Sequence, residues 1–299
     1  MTHNLSCPQE LLDRGLPTAP ALAVAALPDG RRGLTTGLDF HLRLWDLDTG
    51  TCIRSWDARG PISSIAVNSS GTTALLGAVQ GVVCWDIINW KPGRLSSLWS
   101  HSEITALGWA QTRGMLLAPS EDTTIHRWDT RSGEALSRLI GHRITITALA
   151  LDHEERYALS GDLYGELRLW DLADGTCRQV WQGHDSPLAA AAFSPQGVPF
   201  SAGRDGDIRC WDADTLKSVT FTVDDSLHDM LLLGDGAAVC TACPDGVSIW
   251  ELSVGERIAK WDTKPVRSLS LSREGTLFGL VRTNHLLAWK RTSSTMDEC

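Results

Sequence analysis

Short apolar runs, each closed by a polar turn, follow one another along the chain, and no stretch places its apolar positions at helical spacing. Residues 188–221 show the unit: an apolar run at 188–193, the turn Ser194-Pro195-Gln196-Gly197, a second run at 198–202 and the turn Arg204-Asp205-Gly206. A third run at 207–212, the turn Ala213-Asp214-Thr215 and a fourth run at 217–221 complete it. Gly, Asp, Asn and Pro sit where the chain must reverse. The pattern predicts four short strands in a meander, repeated at 61–99, 104–139, 146–181 and 226–261. The third run of each unit ends in tryptophan, usually followed by an acid: Trp45-Asp46, Trp85-Asp86, Trp128-Asp129, Trp170-Asp171, Trp211-Asp212, Trp250-Glu251 and the degraded Trp289-Lys290. Successive tryptophans stand 39 to 43 residues apart, which marks one supersecondary unit made seven times.

A lone four-stranded meander has two apolar faces and open edges, and is unstable by itself. Radial packing of several meanders covers both faces. The expected fold is therefore all-β: a seven-bladed propeller of four-stranded antiparallel blades, one closed domain over 1–299. Its repeats run from about 9 to 290, with a short tail at 291–299. No apolar strand follows Trp289, so the last blade lacks its outer strand. Residues 9–16 precede the first inner strand at 21–27 and are expected to supply it, closing the ring with an N-terminal strand.

A net charge of −9 argues against wholesale binding to nucleic acid or an anionic membrane, which needs a basic field. Residues 1–8 do not read as a signal peptide, and no apolar run is long enough to span a bilayer, so a cytoplasmic location is expected. Four of the eight cysteines sit at repeat positions: Cys52 and Cys177 are equivalent, and Cys84 and Cys210 each precede a signature tryptophan. They read as small strand residues with reduced thiols. Cys240-Thr241-Ala242-Cys243 is a lone CxxC within a predicted strand, a poor fit to zinc or redox use.

These motifs make the chain resemble the WD-repeat (WD40) β-propeller family. Gly141-His142 and Gly183-His184 precede their tryptophans at the family's spacing. The resemblance implies a hydrogen-bonded tetrad of His, a strand Ser or Thr, a turn Asp and the Trp in each well-formed blade. His184, Ser201, Asp205 and Trp211 match it completely. His101, Asp122 and Trp128 match, with Ala118 in the hydroxyl position; Thr35, Asp39 and Trp45 match without a His. His142, Ser160 and Trp170 match, but Tyr164 replaces the turn Asp and Asp162 stands two places early. The second, sixth and seventh repeats have mostly lost the set. A His–Asp–Ser group invites comparison with a hydrolase triad, yet here it recurs with the repeat and ends on an indole N–H, which only donates. It reads as structural.

No phosphate-binding loop, nucleophile elbow or HExxH motif is present, and no catalytic residue, cofactor or metal site is expected. Repeat alignment places Ala23, Ser63, Thr105, Thr147 and Ala189 at the channel mouth, a small and hydroxylated lining suited to a peptide. His228 and Arg267 take that place in the sixth and seventh repeats, and Arg204 and Arg282 take the position before the turn Asp. By the family's usage these are partner-contact positions. They predict a basic arc over blades five to seven, with Glu103 and Glu121 across the ring, suited to an acidic or phosphorylated segment. The insertion Ile87-Ile88-Asn89-Trp90-Lys91-Pro92-Gly93 lies on the opposite face, and Trp90 is either tucked into its own loop or an exposed partner anchor. Trp128-Asp129-Thr130-Arg131 resembles the WDxR box of substrate receptors for cullin-type ubiquitin ligases. The expected function is a non-catalytic protein-interaction scaffold or adaptor, a monomeric propeller within a hetero-complex. The alternatives are a ubiquitin-ligase substrate receptor, an accessory subunit of a larger enzyme and a propeller hydrolase.

Overall fold

The computed structural model describes residues 9–11, 21–93, 98–100, 102–212, 217–223, 226–234, 236–272, 275–281 and 286–289. All elements among them are strands, arranged in seven antiparallel sheets. Blade one is Ala21–Ala26, Arg32–Gly37, His41–Asp46 and Thr51–Asp57. The blades follow in chain order, each running from an inner strand at the channel to an outer strand. Blade four is Ile146–Leu151, Tyr157–Asp162, Glu166–Asp171 and Cys177–Gln182; blade five is Leu188–Phe193, Pro199–Gly203, Asp207–Trp211 and Ser218–Thr222. In blade two the outer strand is split into Lys91–Pro92 and Leu98–Trp99, both paired with Gly81–Asp86. In blade seven, Gln9–Leu11 pairs antiparallel with Leu286–Trp289, so the sheet holds strands from both ends of the chain. Residues 12–16 of the expected closing segment lie outside the described residues.

Seven apolar clusters form the core, and each joins two neighbouring blades. The repeated tryptophan has a uniform task in them. Trp211 of blade five packs with Leu159, Leu167 and Leu169 of blade four, and Trp45 of blade one packs with Phe278 and Leu280 of blade seven. Each indole thus plugs the seam toward the preceding blade. Outer-strand tryptophans reinforce three seams. Trp56 lies 4.1 Å from Trp85 between ring centroids, Trp181 5.6 Å from Trp211, and Trp261 6.2 Å from Trp289. Each of these stands eleven residues after its own blade's signature tryptophan.

Hydrogen bonds cross the same seams beside the channel. The inner strands of blades one, two, four, five and seven carry a bulge at their start, as between Ile146 and Ala148. The bulged residue turns its side chain toward the next blade. Thr105 Oγ1 donates to Ile146 O (2.6 Å), Thr147 Oγ1 to Leu188 O (2.7 Å), and Ser63 Oγ to Ile104 O. Thr36 Oγ1 donates to Ile62 O (2.8 Å) between blades one and two, and Ala26 N–H to Ser270 Oγ (2.8 Å) between blades one and seven. Asp229 joins blades six and seven, accepting the N–H of Leu269 at 2.7 Å and of its own neighbour Met230 at 2.8 Å. Burial pushes this carboxyl up to about 6, against those bonds and one from the Ser268 side chain, which favour the ionised form.

The tetrad in blade five is a directed chain of protons. Trp211 Nε1–H donates to Ser201 Oγ (2.8 Å), Ser201 O–H donates to His184 Nε2 (2.8 Å), and His184 Nδ1–H donates to Asp205 (3.1 Å). The chain requires neutral imidazole. Burial, only partly opposed by Asp205, holds His184 below the ordinary histidine range, which fits. Blade four contains the same chain in full. Trp170 Nε1–H donates to Ser160 Oγ (2.8 Å), Ser160 pairs with His142 Nε2 (2.7 Å), and His142 Nδ1 with Asp162 (2.8 Å). The early position of Asp162 is therefore no defect. Strand register aligns it with Gly203 of blade five. A Cβ on Gly203 would run into His184 Nδ1 and the Asp205 carboxylate. That space can be reached from either position, so Tyr164 is free to occupy the turn.

Blade one replaces the missing His with Arg43, whose buried guanidinium pairs with Asp39, while Trp45 Nε1–H reaches Thr35 Oγ1 at 2.8 Å. In blade three the Asp122 carboxylate takes His126 Nε2 at 2.7 Å; His101 lies outside the described residues. In blade six Trp250 Nε1–H donates to Thr241 Oγ1 at 3.0 Å. In blades two and seven the indole N–H of Trp85 and of Trp289 is buried without a partner among the described residues.

Deleting residues 1–17 is expected to bare the Leu286–Trp289 edge and abolish soluble monomer; a truncated chain melting within about 2 °C of the full chain contradicts this. Because the His142 and Asp162 side chains are nearly inaccessible (0% and 3%) while that of Asp205 is 20% exposed, His142→Ala should cost at least as much as His184→Ala. Each is expected to lose about 1–3 kcal/mol in denaturant unfolding, and a markedly cheaper His142→Ala contradicts the blade-four chain. The pH profile carries two opposed signatures. Lowered in the fold, His184 contributes stability above its unfolded value of 6.5 that is lost as pH falls through the folded value. Asp229, raised from 3.8 to about 6, has the opposite sign and costs stability as pH rises between those values. Relative to wild type, Asp229→Asn should therefore gain about 1–3 kcal/mol between pH 4 and pH 7; a flat or falling difference contradicts the assignment.

Candidate functional site

The second-to-third-strand turns and the loops joining consecutive blades share one face of the ring. On it the tetrad side chains are spent on structure. The His142 and His184 side chains have no exposed surface, and only the Asp205 carboxylate, 20% exposed, reaches solvent from these His–Ser–Asp groups. His142, Asp162 and Glu166 bring one ligand atom each within 4.8 Å of one another, a spacing that a cation would accept. Every one of these groups is engaged, however. Asp162 Oδ1 accepts the N–H of Tyr164 and Glu166, and the Glu166 carboxylate takes Arg168 and Gln182 Nε2 (2.9 Å). Arg168 beside Glu166 already supplies the positive charge. Burial raises Asp162, but the bonds from His142, Tyr164 and Glu166 outweigh it and hold the carboxyl below its usual range.

Arg204 lies exposed on the blade-five turn, its backbone N–H on Pro187 O at 3.0 Å, and it forms no ion pair among the described residues. Arg267 is exposed at the inner-strand bulge of blade seven. His228 has the equivalent place in blade six, but its Nδ1 is bonded to Val266 O of blade seven (2.8 Å), so that nitrogen serves as a seam strap. Arg282 lies outside the described residues. On blade three, Glu121 N–H donates to Glu103 O at 3.1 Å, and burial together with the Glu121 charge raises the Glu103 carboxyl.

Three sequence expectations change. The hydroxyls of Ser63, Thr105 and Thr147, expected as lining suited to a peptide, are donated to carbonyls of neighbouring blades. In blade one the bulged residue is Leu22, and Ala23 is buried one place on, where its side chain alternates away. Trp90, expected among the partner contacts, is half-buried against Trp85, with centroids 5.5 Å apart and rings at 86°. It completes the blade-two cluster. Cys240 and Cys243 pack into different clusters on opposite faces of blade six, because positions three apart alternate on a strand, so they do not form a dithiol pair. Burial also pushes the Cys240 thiol up. Arg131 is exposed on the turn after Asp129, whose carboxylate accepts its N–H at 2.8 Å.

The sequence reading missed the apolar side of this face. Leu38 and Phe40 on the blade-one turn, Val79 on blade two, and Leu163 and Tyr164 on blade four are exposed, Tyr164 by 70%. Their signal was the replacement of polar turn residues by apolar ones at the same repeat position. Between blades one and two the face opens into a cleft of about 430 Å³ lined by Trp56, Ala58, Leu76, Val79 and Val82. A second, more polar cleft of about 340 Å³ lies at the corresponding place of blade six, beside Cys243, Asp245 and Lys260.

Comparison with known proteins agrees with this architecture. The family model described as WD domain, G-beta repeat, matches residues 133–171 and 175–212. The chain is similar to the mouse guanine nucleotide-binding protein subunit beta-like protein 1, 27% identical over 255 residues, covering 76% of each chain. It also resembles two Arabidopsis thaliana proteins. Autophagy-related protein 16 is 28% identical over 54% of this chain, and a WD repeat-containing protein 26 homolog is 25% identical over 67% of it. The matched segments span only 33% and 35% of those two proteins. Residues 133–171 and 175–212 are thus WD repeats, their blades carrying the complete tetrads, within a β-propeller of seven antiparallel blades.

Proposed function

We propose that the chain is a non-catalytic protein-interaction scaffold that holds a partner segment on the face carrying the second-to-third-strand turns, with acidic or phosphorylated groups facing Arg204, Arg267 and Arg282. The observation that carries this reading is a division of labour. The catalytic-looking His, Ser and Asp side chains are consumed inside blades four and five. What the face offers outward is apolar turn residues and arginine. Exposed aromatic and aliphatic groups beside arginine are the usual chemistry of a protein-docking surface. In two of the relatives the matched segment is about a third of a longer chain, as a recognition module would be carried.

The double reversal Arg204→Glu, Arg267→Glu is expected to weaken capture of the main partners in quantitative pull-down, with melting unchanged. Capture should also weaken with added salt, since exposed charges are screened over about 8 Å at physiological ionic strength. Arg131→Glu serves as the control for the opposite face; Trp90→Ala does not, because Trp90 packs on Trp85. Partners lost on Arg131→Glu and kept on the double reversal would move the docking surface to the other face.

A further inference from the structure

The cleft between blades one and two occupies the place of a missing tetrad. Strand register puts Leu76 where blade five has Ser201, and Val83 where it has Arg209. Ala58, in the loop before Pro61, stands at the position of the tetrad histidine, which precedes Pro187 in blade five. The turn Val79-Gln80 replaces the one carrying Asp205. Three polar side chains that fill this space elsewhere are thus exchanged for smaller or apolar ones, and about 430 Å³ is left open. That volume lies within the range of ligand-binding clefts, about 300–1,000 Å³.

Three further observations converge on it. Phe40 and Arg59, flanking the cleft, hold left-handed backbone (φ 63° and 57°) although neither is glycine. Such conformations are costly and gather at functional sites. Ala58 N–H donates to Phe40 O (2.8 Å), tying the loop that lines the cleft to the blade-one turn. The indole N–H of Trp85, 0% exposed and without a partner among the described residues, belongs to the ring that lies behind Trp56, with centroids 4.1 Å apart and rings tilted by 33°; by the register of blade five it faces Leu76. Val79 of the lining is exposed, as are Phe40 and Leu38 on the blade-one turn that is bonded to Ala58. At the lip, Arg59 is exposed with no ion-pair partner among the described residues, while Asp57 turns back to accept the Arg59 N–H at 2.8 Å.

We infer that this cleft is a socket for one large apolar side chain of a partner peptide, phenylalanine or leucine, with an acidic residue beside it to meet Arg59. A buried anchor with a charged flank is how a shallow face gains selectivity without a deep groove. The inference rests on the proposed scaffold role only for the choice of face, and needs no contribution from the basic arc.

The probe is the blocked tripeptide Ac-Glu-Phe-Glu-NH2, followed through the Trp56 indole resonance of the ¹⁵N-labelled full chain. It should shift that resonance saturably, whereas Ac-Glu-Ala-Glu-NH2 should not. Ala58→Phe fills the socket and should abolish the shift. Arg59→Glu, exposed and harmless to folding, should weaken binding about threefold or more. Equal shifts from the Phe and Ala peptides, or binding unchanged by Arg59→Glu in a chain that melts normally, overturns the inference. Arg204→Glu, Arg267→Glu should leave the tripeptide response intact. If it does so without weakening partner capture, the arc fails and the socket stands; capture lost with no tripeptide response gives the opposite outcome.

Discussion

Each blade exposes two apolar faces, and only another blade can cover them. The seam between neighbours is therefore the interaction on which the ring depends. It is made twice over: the signature indole of one blade fills the core of the seam, and a side chain at the inner-strand bulge is hydrogen-bonded to the next blade's carbonyl. The bulge matters because it takes one residue out of the ladder and turns it sideways. Where the strap residue is Ala189, the seam between blades five and six falls to apolar packing around Phe200, Ile208, Met230 and Val239.

The tetrad acts on a different bond of the same system. It fixes the loop between blades to the signature indole and fills the space under that loop. Blades four and five have it complete, with the imidazole bridging hydroxyl and carboxylate in each. Blade two has lost all its polar members, and the lost volume reappears as a cleft beside an unpartnered indole N–H. One substitution pattern thus yields both a locally weaker blade and a recognisable socket, and ties the stability of the ring to the face it presents.

The tryptophan period made the fold legible, because every seam needs the same plug. Trp56, Trp181 and Trp261 belonged to that signal too, at a fixed offset from the signature residue, yet their pairing across the seam shows only when blades are set side by side. Asp162 was misread because a carboxylate can reach one point in space from two strand positions, and linear spacing does not reveal which. Ala23 stood in for Leu22 for a related reason: a bulge shifts the count by one. The hydroxyls at the mouth looked like lining because their acceptors lie about forty residues away, in another repeat. The cleft was hidden for a simpler cause. Sequence records which residues replaced the tetrad, but an opening is the difference between what fits and what is there.

The central claim is that the polar set locks blades four and five and that its loss leaves blade two open. Exchange of the indole N–H protons with solvent, read site by site from ¹⁵N-labelled tryptophan, tests it most directly. Trp170 and Trp211, whose N–H groups end complete chains, should be the slowest, at least about tenfold slower than Trp85, since the hydrogen bonds of a chain, at about 0.5–1.5 kcal/mol each, together exceed the roughly 1.4 kcal/mol that corresponds to a factor of ten. Trp45 and Trp250, which keep only the hydroxyl bond, should fall between. A Trp85 indole that exchanges as slowly as Trp170 and Trp211 would contradict the account.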